Sequence, residues 1–240
     1  MVTDDPAEAH RSPADLAVLA APAALCAELA RVLPEPVGSA PKPMERPPPP
    51  EPPAACQPLR ASHVLHALGE RLPADSVLVE EAPSTRPELQ RRLPARRPLG
   101  FLSAAMGGLG FGLSAPIGVR MAQPTRPVVA VVGDGSSMYV IQALWSAARY
   151  QVGAIFVVLA NGGYRVMDRL AEAQEQPAPW PAFGAIDIAA MARAQGCPAK
   201  RVETFDELEA ALDEALDGIG KRTEPLLLEV VVAPDSEFVI

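Results

Sequence analysis

Two oxygen-bearing side chains stand where apolar runs end. Asp134 lies in Val128-Val-Ala-Val-Val-Gly-Asp-Gly-Ser136, and Asn161, 27 positions later, directly follows Ala154-Ile-Phe-Val-Val-Leu-Ala160. A β-branched apolar run that stops at Gly-Asp-Gly reads as a buried strand whose tip turns tightly and presents a carboxylate, and the second run presents an amide. Mg²⁺ is a hard cation that takes carboxylate, amide and backbone carbonyl oxygens together with phosphate oxygens, and the carboxyl ends of a parallel sheet are where such ligands dock. The pair therefore points to Mg²⁺ holding a diphosphate, with Asp134 and Asn161 as side-chain ligands and Gly163 turning its backbone carbonyl to the metal. Gly133 and Gly135 let the backbone approach the ligand, and Ser136 leads into a helix whose free N–H groups point at the same spot. Gly-Asp-Gly alone is also what a plain turn after a strand looks like, so the reading rests on its combination with Asn161. A dinucleotide fingerprint requires a third glycine where Met138 stands, and no Gly-Lys-Ser/Thr phosphate loop occurs.

Strands and helices must position these residues. Arg60 to Arg71 reads as an amphipathic helix, Ser76 to Val79 as a short strand ending at Glu80-Glu81, and Ser84 to Arg92 as a helix after a turn. Phe101 to Leu113 is a glycine-rich loop running into a small-residue helix that ends near Ala122. Strand Val128 to Val132, helix Met138 to Tyr150, strand Ile155 to Leu159 and helices within Tyr164 to Ala173 and Ile186 to Gln195 follow. Helix Phe205 to Leu216 and strand Leu226 to Val232 complete the pattern. The strands are continuous apolar runs rather than alternating ones, as expected when helices cover both faces. The expected fold is a three-layer α/β/α sandwich on a mainly parallel sheet.

The chain divides into three by pattern. Residues 1–36 hold a turn at Thr3 to Pro6, a short strand within Leu16 to Ala20 and a helix from Pro22 to Leu33, too little to bury a core. Residues 37–57 carry Pro41, Pro43, Pro47, Pro48, Pro49, Pro50, Pro52 and Pro53, an extended linker composition. Residues 58–240 form the main domain.

Composition bounds the partners. A formal charge of −8 over 240 residues argues against a nucleic-acid or anionic-membrane surface, so a phosphate site here relies on metal and backbone donors. Cys26, Cys56 and Cys197 lack metal spacing and read as free thiols in a reducing, cytoplasmic setting. The first residues show neither a basic n-region nor an apolar h-region and no run approaches 18 apolar residues, so neither a signal peptide nor a transmembrane helix is expected. His63 and His66 share a helix without a partner at ligand spacing and read as packing residues.

Gly133-Asp-Gly135, 25 intervening residues and then Asn161 resemble the cofactor signature of the thiamine-diphosphate-dependent enzymes. That family writes the end of the signature as Asn-Asn, whereas this chain has Ala160-Asn161. Gly107-Gly-Leu-Gly-Phe-Gly-Leu113, Ile141-Gln-Ala-Leu-Trp-Ser-Ala147 and Val157-Val-Leu-Ala-Asn-Gly-Gly-Tyr164 are most similar to its benzoylformate decarboxylase and acetolactate synthase-like branch, over about residues 58–235. The resemblance implies a diphosphate-binding domain preceded, in residues 1–36, by the tail of a middle domain, with thiamine diphosphate and Mg²⁺ as cofactors. It implies that Ser84 and Thr85 meet the terminal phosphate, although Pro83 stands where a hydroxyl residue is usual. It implies that the Gly107 carbonyl receives the aminopyrimidine, that Leu109 wedges beneath the cofactor and that Tyr164 and Met167 line the substrate mouth. A small 2-oxo acid is the implied substrate. No catalytic residue is implied on this chain, because the activating Glu belongs to a pyrimidine-binding domain that would precede residue 1. That domain would come from a homo-oligomeric partner or a separate chain, and a split carboligase subunit or a non-catalytic binding module are the other readings.

Overall fold

The computed structural model describes residues 1–34, 38, 45–54 and 57–234. Cys56, and Pro41 and Pro43 of the expected linker, lie outside the described residues. The chain splits into two compact units, Met1–Glu45 and Arg46–Ile240.

The first unit holds β1 (Val2–Thr3), α1 (Pro6–Arg11), β2 (Val18–Leu19) and α2 (Pro22–Val32), with β1 and β2 parallel. Where a turn was expected at Thr3 to Pro6, Asp5 caps a helix: its carboxylate accepts from the N–H groups of Ala7 and Glu8, and Pro6 takes the first helical position. Among its described residues only Thr3 is buried, so this unit has no apolar core of its own.

The second unit starts with α3 (Ala61–Arg71), β3 (Val77–Glu81), α4 (Arg86–Arg92) and β4 (Phe101–Ser103). It continues through α5 (Phe111–Ala122), β5 (Val128–Gly133), α6 (Asp134–Ser137), α7 (Ala143–Arg149), β6 (Ile155–Ala160), α8 (Arg165–Ala173) and α9 (Ile188–Ala194). It ends with β7 (Ala199–Val202), α10 (Phe205–Leu216) and β8 (Leu226–Val231). The six strands run parallel in the order β4-β3-β5-β6-β8-β7. Leu59 adds a parallel bridge to Val232, and its carbonyl accepts from the Ala233 N–H at 2.7 Å.

Both faces of the sheet are dry, which explains the uninterrupted apolar strands. Val129 and Val131 of β5 pack with α3, α4 and α10, whereas Val128, Ala130 and Val132 pack with α5, α7 and α9. Burying one such valine or leucine stabilises the fold by about 1.5–3 kcal/mol before entropy is subtracted. His63 is buried in α3 as a packing and capping residue. Its Nδ1 accepts from the Arg60 N–H at 3.0 Å, so the neutral ring carries its proton on Nε2, 3.0 Å from the Glu51 carbonyl. Among the described residues no helix is long and apolar enough to cross a membrane.

Candidate functional site at the strand tips

Parallel pairing brings three strand ends together. Glu81 of β3 is in register with Val132 of β5, and Gly133 of β5 with Leu159 of β6, so the loops after β3, β5 and β6 emerge side by side. Ligands of open parallel sheets bind at this edge.

Gly133 keeps an extended backbone as the N-cap of α6, and Asp134 is the first helical residue. The helix expected from Met138 thus starts four positions earlier, breaks after Ser137 and resumes at Ala143. The Asp134 side chain points inward, is 4% exposed and spans two loops. Oδ1 accepts from the Gly135 N–H at 2.8 Å, and Oδ2 accepts from the Gly162 N–H at 2.7 Å. Among the described residues it has no salt bridge. Burial pushes its carboxyl above the usual carboxylate range, while the two amides and the charge of Arg165 act in the opposite direction.

Asn161 Oδ1 accepts from the Gly163 N–H at 3.2 Å, which folds the β6 loop back on itself. Gly162 holds φ +78, where a side chain would be strained, and Gly163 follows it. Gly135 has no room for a side chain. A Cβ there would fall 2.5 Å from Tyr164 Cε1 and 2.9 Å from Phe183 Cε2. The two rings meet edge to face at 4.5 Å, and the Phe183 N–H donates to the Gly162 carbonyl at 2.8 Å. Ser136 is buried, and its Oγ would lie 3.7 Å from a Cβ on Gly133.

The other expected site residues lie on neighbouring loops. Thr85 is buried at the N-terminus of α4, with Ser84 half-buried before it. Gly107 ends a short 3₁₀ turn at φ +70, and Leu109 is 37% exposed just before α5. Met167, on α8, is also exposed. Glu81 binds this glycine-rich segment to the sheet: its two oxygens accept from the N–H groups of Gly110 at 2.9 Å and Gly112 at 2.5 Å. Glu80 is occupied likewise, by Arg86 at 2.9 Å, the Ser103 hydroxyl at 2.8 Å and the Ala82 N–H at 2.7 Å.

Several neighbours of the site carried no signal in the sequence. Phe183 reaches Gly135 from a connection 22 residues beyond Asn161. A cavity of about 180 Å³ runs from Asp134, Asn161 and Gly162 to Phe183 and the Arg201–Glu229 ion pair. Glu229, in β8, also accepts from the Ala189 N–H at 2.7 Å. Arg165 follows the loop directly, which was the one clue available for it.

The donor set suits a hard cation that shares its coordination with a ligand. Among the described residues no group of three or more His, Cys, Asp or Glu could hold a metal alone. Each Asp134 oxygen and Asn161 Oδ1 accepts one N–H and keeps a lone pair, so carboxylate and amide can ligate while phosphate oxygens complete the shell.

Comparison with known proteins agrees with this geometry. Residues 85–230 match the family model described as thiamine pyrophosphate enzyme, C-terminal TPP binding domain. The chain is 39% identical to the benzoylformate decarboxylase of Pseudomonas aeruginosa over 236 residues, 95% of this chain and 42% of that protein. It is 32% identical to the acetolactate synthase isozyme 2 large subunit of Escherichia coli, over 70% of this chain and 31% of that one. The crystal structure of benzoylformate decarboxylase from Polynucleobacter necessarius superposes with a TM-score of 0.88 at 29% identity, covering 99% of this chain and 45% of its own. The chain thus spans less than half the length of these relatives. With the parallel sheet, the two loops and the matched span in agreement, the chain belongs to the thiamine pyrophosphate enzyme family and carries its C-terminal cofactor-binding domain.

Proposed function

We propose that this chain holds thiamine diphosphate through Mg²⁺ as the C-terminal part of a benzoylformate decarboxylase-like enzyme, and that it turns over no substrate by itself. The observation that carries this reading is Asp134, a buried carboxylate that joins the β5 and β6 loops through one amide each and lacks a salt bridge among the described residues. Asp134, Asn161 and the Gly163 carbonyl would hold the metal. Gly133, Gly135 and Ser136 would lie along the diphosphate, with Ser84 and Thr85 at its terminal phosphate. Gly107, Leu109 and Tyr164 would contact the organic part. When bound, the cofactor supplies the nucleophilic carbon and electron sink for cleaving a 2-oxo acid.

The chain's own residues bind, orient and exclude water. Glu80 and Glu81 are spent on internal partners, which supports an activating carboxylate from a pyrimidine-binding domain elsewhere. Exposed Leu109 supports a docking partner there, either a second copy or a chain carrying that domain. The likeness to acetolactate synthase favours a second outcome, in which a carbonyl compound is joined to the cleaved acid.

Calorimetry of the full chain tests the cofactor reading. Thiamine diphosphate is expected to bind with Mg²⁺ and far more weakly with chelator or in Asp134→Ala; absence of binding with saturating Mg²⁺ overturns it. Assays with benzoylformate and pyruvate are expected to show turnover only after addition of a separately expressed pyrimidine-binding domain. Turnover by the chain alone overturns the claim of dependence.

A further inference from the structure

Arg165, the first residue of α8, lays a guanidinium against the loop of Asn161, Gly162 and Gly163. Nη1 is paired with Asp168 Oδ2 at 2.9 Å, and the other Asp168 oxygen accepts from Trp180 Nε1 at 2.7 Å. That anchor fixes the outer end of the guanidinium and leaves its Nε–Nη2 edge on the side away from Asp168. A Cβ on Gly163 would lie 3.6 Å from Cζ, 3.8 Å from Nε and 3.9 Å from Nη2, so the face of the guanidinium lies over Gly163. The edge is poorly matched by protein: Nη2 reaches the Asn161 carbonyl at 3.3 Å, and Nε is buried with no acceptor among the described residues. An Arg edge with one long contact and one unmatched donor is suited to paired oxygens of a phosphate, which take both donors at once.

Electrostatics leads to the same place. A diphosphate brings several negative charges to a site that already buries Asp134, and a divalent cation offsets only part of them.

We propose that Arg165 is a tethered cation of the diphosphate site, its Nε–Nη2 edge taking phosphate oxygens, so that diphosphate binding keeps a component independent of Mg²⁺. The proposal rests on the thiamine diphosphate reading above. It assigns Arg165 to binding and to holding the loop, not to the chemical step.

The test is calorimetric titration of the full chain, Arg165→Gln and Arg165→Lys with thiamine diphosphate and, separately, inorganic pyrophosphate, from chelator to saturating Mg²⁺. Circular dichroism confirms that each variant is folded. The expected result is measurable wild-type binding of both probes in chelator, about tenfold weaker in Arg165→Gln. The gap should narrow as Mg²⁺ saturates, and Arg165→Lys should fall between because it keeps the charge and loses the fork. Equal affinities of wild type and Arg165→Gln at every Mg²⁺ level, or wild-type binding seen only with Mg²⁺, overturn the role of Arg165 and leave the cofactor reading standing. No wild-type binding of either probe at saturating Mg²⁺ overturns both.

Discussion

The β3 tip and the paired β5 and β6 tips both bury carboxylates, and they use them differently. At β3, Glu80 meets a guanidinium, a hydroxyl and an amide, and Glu81 takes two amides of the glycine-rich segment, so four oxygens are spent on shaping neighbouring backbone. At β5, Asp134 is also buried and, like Glu81, receives one amide per oxygen and no salt bridge among the described residues, but its two amides come from the β5 and β6 loops rather than from one segment. Glu80, with its own cation and donors, and Glu81, which pins a single segment, shape the fold, whereas on the proposed reading Asp134, between two loops at the ligand edge, is the carboxylate kept for the metal. Neither burial depth nor the number of partners separates Glu81 from Asp134; the segments that each one joins do.

That contrast can be broken by substitution. The largest change is expected from Glu81→Ala, which strands the Gly110 and Gly112 amides and should cost ~2–4 kcal/mol in denaturant unfolding. If stability is unchanged, the structural role of the β3 tip is wrong. Asp134→Ala should invert the pattern: Mg²⁺-dependent affinity for thiamine diphosphate drops by at least about 100-fold, beyond the usual loss for an outer-shell group. Its unfolding free energy should fall less than that of Glu81→Ala, because burial holds the Asp134 carboxyl above the usual range and its removal relieves that penalty. A variant that unfolds as readily as Glu81→Ala erases the distinction. The smallest effect is predicted for Gly162→Ala. No atom lies within 4 Å of the new Cβ, so only the left-handed backbone is strained, by about 1–2 kcal/mol. Calorimetry should register this as a loss of Mg²⁺ affinity larger than the accompanying loss of stability.

The central strands were legible because both their faces are buried. The runs at Val128 and Ile155 needed no periodicity to be read as strands, and α10 runs over Phe205–Leu216 as expected, its start held by reciprocal capping between Thr204 and Glu207. The edge strands were not. Phe101–Ser103 is three residues long, and Ala199–Val202 carries Lys200 and Arg201, so neither shows a continuous apolar run. The α6 start was misplaced because Asp134-Gly-Ser-Ser137 is rich in poor helix formers, which the sheet and the α5 side hold in a single turn. Of the candidate site, spacing picked out Asp134 and Asn161, whose two loops the Asp134–Gly162 hydrogen bond joins, while Gly107 was named by the family resemblance alone. Phe183 and the Arg201–Glu229 pair come from distant segments brought in by packing, which spacing cannot register.

The bridge from Leu59 to Val232 has a consequence for how this domain can be handled as a piece of chain. Leu59 and Ala233, near the two ends of the domain, lie side by side and are hydrogen-bonded at the C-terminal end of β8. A polypeptide that comes in and leaves at one point can be spliced into a host loop, or have its ends joined and a new opening cut elsewhere, without reordering a strand. The six strands, and with them both ligand loops, would travel as one cassette.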